Sequence, residues 1–166
     1  MFDIIKFNLI CFKRNPLLLV FNYLVSFLSG FFCIYSLKNY TTTIRNPKGI
    51  QGGDKVFYKS LFSSPGIYIN AINGIQVGRN LLLGPDVGLI SSAHKIEKGY
   101  PPKDGIAGIT IGDDCWVGMG AKILPSVILG DNTVVAAGSV VTKSFPEGNC
   151  ILAGSPAKII KQLNKN

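Results

Sequence analysis

In two stretches of this chain, 71–89 and 111–141, aliphatic side chains recur at every sixth position. Ile111, Val117, Ile123, Leu129, Val135 and Val141 follow one another at that interval, and Ala71, Val77, Leu83 and Leu89 keep it earlier. Glycine comes next at Gly78, Gly84, Gly112, Gly118 and Gly130, with Ala136 nearly as small. Two places before each aliphatic of the later block stand Ile109, Cys115, Ala121, Val127, Thr133 and Ser139, mostly small. Helix faces repeat near 3.6 residues and strands near 2, so six is neither. A six-residue repeat reads as a parallel β-helix, each hexad a short strand plus a bend. The aliphatic of each hexad is expected to point inward, and Asn80, Asp86, Asp113, Asp131 and Asn132 suit the corners.

One stretch breaks the march. From Leu89 to Ile111 there are 22 residues, three hexads plus four, so the register cannot run straight through. A loop is expected to leave the coil over about 93–108, where Tyr100, Pro101, Pro102 and Gly105 suit irregular backbone. His94, the single histidine, stands where that loop departs. An alcohol is a feeble nucleophile until its proton is being removed. An imidazole with an ordinary pKa near 6.5 can take that proton at neutral pH.

The first forty residues follow another pattern. Asn15 to Leu37 is an uncharged run of 23 residues between Lys13-Arg14 and Lys38, about the length of a membrane-crossing helix. Before it, Phe2, Ile5, Leu9 and Phe12 recur at helical spacing, as in a helix lying in a membrane interface. Basic residues flank the run on both sides: Lys6, Lys13 and Arg14 before it, Lys38, Arg45 and Lys48 after it. Both flanks therefore favour the cytoplasmic side, and a re-entrant or interface-bound helix satisfies them better than a span. Packing of this helix on protein is the alternative. The chain divides into an apolar, membrane-associated helical segment at 1–40, a linker and start of the coil at 41–64, the hexad coil at 65–154 with its loop, and a C-terminal capping helix and tail at 155–166. That last helix is expected because Ser155 and Pro156 resemble an N-cap and first helical position, with Ile159, Ile160 and Leu163 giving an apolar side. Such a cap would close the open end of the coil.

A net charge of +8 suggests an anionic partner: a phosphate-bearing cofactor, a membrane surface or nucleic acid. No basic stripe interleaved with aromatics supports nucleic acid. Cys11, Cys33, Cys115 and Cys150 are widely spaced, which signals neither a disulfide framework nor a zinc site.

The segment IGDDCWVGMGAKILPSVILGDNTVVAAGSVVTKSFPEGNCILAGSPAKII closely resembles the C-terminal signature of the hexapeptide-repeat acyltransferases. Within that family it is most similar to small bacterial enzymes that acetylate capsule, O-antigen or exopolysaccharide sugars. The resemblance spans about 65–160 and implies an all-β fold, a left-handed parallel β-helix. Six-residue spacing alone does not set the hand. It further implies acetyl-CoA as co-substrate, no metal, a homotrimer with sites between subunits, and His94 as the general base. By motif position, Met119 and Ala137 would offer backbone contacts to the pantetheine arm. Thr142, Lys143, Lys158 and Lys161 would lie near the nucleotide phosphates, where cationic side chains suit the chemistry. Trp116 matches a tryptophan near the acetyl end and Asn70 an acceptor-side position. Lys95 follows His94 where the family often has an acid. The imidazole would then be oriented by a backbone carbonyl, by Glu97 or by another subunit.

The implied function is O-acetylation of a sugar hydroxyl on the cytoplasmic side, at the inner face of the membrane. Serine O-acetyltransferases share the C-terminal motif but carry a substantial N-terminal helical domain, for which forty membrane-like residues are a poor substitute. A β-helical carbonic anhydrase needs several histidines for zinc, and one cannot supply them. A non-enzymatic scaffold would have no use for the acetyl-CoA signature around Thr142-Lys143.

Overall fold

The computed structural model describes residues 16, 17, 20, 21 and 24, then 38–93 and 107–164. Three parallel sheets form the sides of a prism. Sheet I stacks β1 (Thr43–Arg45), β3 (Tyr68–Asn70), β6 (Gly88–Ile90), β9 (Lys122–Ile123) and β12 (Val140–Val141). Sheet II stacks β2 (Ile50–Gly52), β4 (Ile75–Val77), β7 (Ile109–Ile111) and β10 (Ile128–Leu129). Sheet III stacks β5 (Leu82–Leu83), β8 (Trp116–Val117), β11 (Thr133–Val135), β13 (Cys150–Gly154) and β14 (Ala157–Gln162). The chain visits the sheets in turn, so three hexads complete one circuit.

The hexad aliphatics line the interior in vertical columns. Ile69, Leu89, Ile123 and Val141 pair down sheet I; Val77, Ile111 and Leu129 down sheet II; Leu83, Val117, Val135 and Leu152 down sheet III. All are buried, as are the small residues two places earlier. Each aliphatic withdrawn from water contributes roughly 1.5–3 kcal/mol. Bends come at the same period: Asn80 and Asp86, then Asp114, Gly120, Ser126, Asn132 and Gly138, all take positive φ. The glycine after each aliphatic answers a different need. A Cβ on Gly84 would lie 2.7 Å from the Met119 backbone nitrogen, so that corner admits no side chain between turns.

Column partners lie 18 residues apart between Ile111 and Leu129, Val117 and Val135, and Ile123 and Val141. Across the break, Val77 to Ile111, Leu83 to Val117 and Leu89 to Ile123 are each 34 apart, which leaves 16 extra residues. They enter between β6 of sheet I and β7 of sheet II.

The first circuit uses a helix as its third side. In α1 (Lys55–Ser63), the Asp54 carboxylate caps the N-terminus by accepting from the Val56 and Phe57 N–H groups, at 3.0 and 3.2 Å. Its buried face, Phe57, Leu61 and Phe62, closes the core. Hydroxyls cover the exposed strand edge below. The Leu83 N–H donates to Ser60 Oγ (3.2 Å), and Ser64 Oγ donates to the Leu83 carbonyl (2.9 Å).

The C-terminal end corrects an expectation. Residues 157–162 form no helix: Ser155 and Pro156 make a turn joined by a cis peptide, and β14 returns antiparallel along β13. The row of unpaired backbone groups on β13 offered the returning segment a partner, and Ala157 turns inward to complete the core. At the other end, residues 16, 17, 20, 21 and 24 are helical. The remainder of 1–37 lies outside the described residues. Among the described residues no helix is long and apolar enough to cross a membrane.

Candidate active site

The three corners of the prism differ in what they leave free. Between sheets II and III, side chains tie successive turns together. Asp113 accepts from the Arg79 N–H (2.7 Å), the Asp113 N–H donates to Asp131 Oδ1 (2.8 Å), and Asn80 Nδ2 donates to Asp114 (2.8 Å). The Arg79 guanidinium also donates to Asp113, at 2.6 and 2.9 Å, and holds its carboxyl below the usual carboxylate range.

The corner between sheets III and I is open. Met119 and Ala137 stack there one turn apart, since the Gly138 N–H donates to the Met119 carbonyl at 2.8 Å. Both residues are exposed. Neither of their own N–H groups has a hydrogen-bond partner among the described residues. A Cβ at Gly138 would meet nothing within 4 Å. Lys158 comes to this corner through its pairing with Ala153, at the end of β13. Two stacked N–H donors, about 4.8 Å apart, beside open space fit an extended chain carrying amide carbonyls.

The corner between sheets I and II carries the break. Asn70 pairs in register with Ile90, and the Ser91 N–H donates to the Asn70 carbonyl at 2.9 Å. Ser91 Oγ accepts from the Asn73 N–H at 3.1 Å, so the loop root is tied to the turn above. Asn70 is buried; its Oδ1 accepts from the Ile72 N–H, while its Nδ2 has no acceptor among the described residues. A buried amide donor left open in this way is uncommon and suits a ligand oxygen. His94, three residues beyond Ser91, lies outside the described residues together with Lys95 and Glu97.

Thr142 and Lys143 occupy the same corner farther down, both exposed, with Lys143 Nζ 5.6 Å from the centre of the Phe145 ring. Five residues of chain separate Ala137 from Thr142, at most about 17 Å. Trp116 stands elsewhere, on the outer side of sheet III beside Leu82 and Val134. Lys161 continues that outer row through Ile151. Within one chain the structure therefore joins Met119, Ala137 and Lys158, and separately joins Asn70 to the root of the His94 loop. It does not bring Trp116 or Lys161 to either group.

Two features escaped the sequence reading: the anchoring hydroxyl of Ser91 and the open space at Gly138. The Ser91-Ser92 pair at the point of lost register was the available signal for the first. Cysteine chemistry finds no support here. Burial pushes the Cys115 thiol up to about 11 and raises that of Cys150. Among the described residues no group of three or more His, Cys, Asp or Glu could hold a metal ion.

Comparison with known proteins fits this architecture. Residues 108–143 match the family model for the bacterial transferase hexapeptide (six repeats). Galactoside O-acetyltransferase of Escherichia coli (strain K12) is 36% identical over 92 residues, 54% of this chain and 47% of that protein. A protein of the same strain, provisionally named as a lipopolysaccharide biosynthesis O-acetyl transferase, is 33% identical over 109 residues, 59% of this chain and 55% of its own length. A solved maltose O-acetyltransferase from Clostridium difficile 630 superposes with TM-score 0.57 at 28% identity, covering 75% of this chain and 64% of that one. The chain spans about half the length of the curated relatives it matches.

Proposed function

We propose that this protein is an acetyl-CoA-dependent O-acetyltransferase acting on a sugar hydroxyl in the synthesis of capsule, O-antigen or exopolysaccharide. The observation that carries the reading is the break in a six-residue-repeat coil beside Asn70, at the point where the sequence places His94 three residues beyond Ser91. The saccharide specificity is supported by the relatives named for galactoside and maltose acetylation. The coil is left-handed, as the family resemblance implies.

In the proposed reaction the His94 imidazole takes the proton of the acceptor hydroxyl. The freed oxygen attacks the thioester carbonyl carbon, the C–S bond breaks, and the proton passes to the departing coenzyme A thiolate. Asn70 Nδ2, which has no acceptor among the described residues, is a donor for a sugar oxygen. Met119 and Ala137 hold the pantetheine arm through their N–H groups. Lys158, Lys161, Thr142 and Lys143 face the phosphates, and Trp116 walls the acetyl end of a neighbouring subunit's site. This division suits a homotrimer, because the site residues stand on different corners of one prism and a neighbour must complete each set. The exposed outer row Leu82–Trp116 supports such packing. Residues 1–40 attach the protein to the cytoplasmic face of a membrane.

The test is acetyl-CoA turnover with a panel of mono- and oligosaccharides and with free serine. A saccharide should be the better acceptor, and His94→Ala should lower the rate with it by about 10²–10⁴-fold. Preferred acetylation of serine would replace the acceptor assignment, and an undiminished His94→Ala rate would remove the base.

A further inference from the structure

Charge is distributed unevenly along the prism. Residues 38–64 hold Lys38, Arg45, Lys48, Lys55 and Lys59 against Asp54 alone, a net +4, whereas residues 65–93 and 107–164 hold five basic and five acidic groups. Arg45, Lys48, Lys55 and Lys59 are all exposed, and all belong to the first circuit, at the N-terminal end of the stack. Asp54, already counted in that net charge, is held away from the four exposed cations by backbone donors. Its two carboxylate oxygens are engaged by the start of α1 and by the Asn80 N–H.

The same end also carries an apolar cavity and exposed apolar side chains. A cavity of about 410 Å³ opens among β1, β2 and α1, lined by Ile44, Pro47, Ile50, Phe57 and Leu61, with Lys48 among them. Leu17, Val20, Phe21 and Leu24, at one-turn helical spacing, remain exposed. The Phe21 ring meets that of Tyr40 edge-on at 4.9 Å, just before the chain enters β1. Stripe, basic rim and apolar cavity thus converge on one end.

Apolar groups beside unbalanced cations are the chemistry of an interfacial membrane contact. A nucleic acid would satisfy the charge and leave the stripe in water. A second copy of the same end would set +4 against +4. We propose that the N-terminal end of the coil (β1, the Pro47–Gly49 turn, β2 and α1, with the stripe of Leu17, Val20, Phe21 and Leu24) docks on an anionic phospholipid bilayer. This deepens the membrane attachment proposed above, and rests on it, by assigning half of the contact to the folded domain. The root of the His94 loop would then stand about two strand spacings, ~10 Å, above the docked end, within reach of a saccharide carried on lipid.

The experiment is sedimentation of the full chain with vesicles of phosphatidylcholine alone or with one quarter phosphatidylglycerol. Binding should appear with the anionic vesicles and weaken in 0.5 M salt. Replacing Lys48, Lys55 and Lys59 together by Gln should lower partitioning by roughly 100-fold, at ~5-fold for each cation near the surface. Lys122→Gln, on β9 three strand spacings above β1, should change it less than about 2-fold, because that strand lies beyond the screening length of ~10 Å. A loss at Lys122→Gln as large as that of the triple, or no preference for anionic vesicles, overturns the docking surface. Acetyl transfer to a soluble saccharide, followed in the same preparations, keeps the two readings apart. Lost docking with transfer intact refutes the membrane end alone, and lost transfer in the wild-type chain with docking intact refutes the enzymatic reading alone.

Discussion

Two corners of this prism are made from the same hexad and serve different ends. Between sheets II and III, Asp113 and Asp131 commit their carboxylates to the backbone of the neighbouring turn. Between sheets III and I, Met119 and Ala137 have N–H groups without a partner among the described residues, and Gly138 borders open space. A repeat that is uniform in period is thus free to differ at single positions. One corner is consumed in holding the stack, which leaves the other available to a ligand.

Added bulk should cost more at Gly112 of the first corner than at Gly138 of the second. A Cβ at Gly112 would lie 2.3 Å from Asp131 Oδ1 and 2.8 Å from the Asp131 backbone nitrogen. Gly112→Ala should therefore cost stability in the upper part of the ~1–3 kcal/mol range for overpacking, read from denaturant midpoints. At Gly138 there is room, so Gly138→Ala should cost only the strain of its positive φ, about 1 kcal/mol, and should raise the KM for acetyl-CoA. If the two variants are equally destabilised, the corners do not differ in packing.

A charge change at the open corner should act on binding. Lys158→Ala is expected to raise the KM for acetyl-CoA by about 3- to 10-fold, an exposed cation's share of phosphate affinity, with kcat nearly unchanged. A fall in kcat at unchanged KM would move Lys158 away from the phosphates.

The smallest effect concerns the tied corner. Arg79 holds the Asp113 carboxyl below its ordinary range, so the native state favours the charged form. That contribution is complete above the unfolded value of about 3.9 and is lost as pH falls through the lower native value. The Tm gap between wild type and Asp113→Asn should be present at pH 7, small because the pair is exposed, and should close in acid. A gap that widens in acid would contradict the assignment.

The coil was legible because inward positions in a stacked repeat must be filled by like side chains. Val117, Val135 and their column neighbours could hardly be anything else. The insertion was legible by counting, since 16 residues is not a multiple of six. The two ends were harder. Ile159, Ile160 and Leu163 are too few to separate a helical period from an extended one, and what decided the matter was the free edge of β13, a long-range partner. At the other end Asp54, Phe57 and Leu61 did carry a cap and an i, i+4 pair. They stood within 41–64, read as linker and start of the coil, and only the third side of the first circuit explains the helix. The candidate site was legible as a set of positions. Which of them meet depends on the order of the corners: Met119 and Ala137 are one circuit apart and stack, whereas Trp116, three residues before Met119, faces outward from sheet III.

If the proposed function holds, the open corner between sheets III and I seats the acetyl donor. Amide chemical shifts of isotope-labelled protein, followed as coenzyme A is added, test it most directly. Saturable shifts are expected at Met119 and Ala137, with Asp113 and Asn132 unmoved. Shifts centred on the corner of Asp113 and Asn132, or none at Met119 and Ala137 with coenzyme A bound, would contradict it.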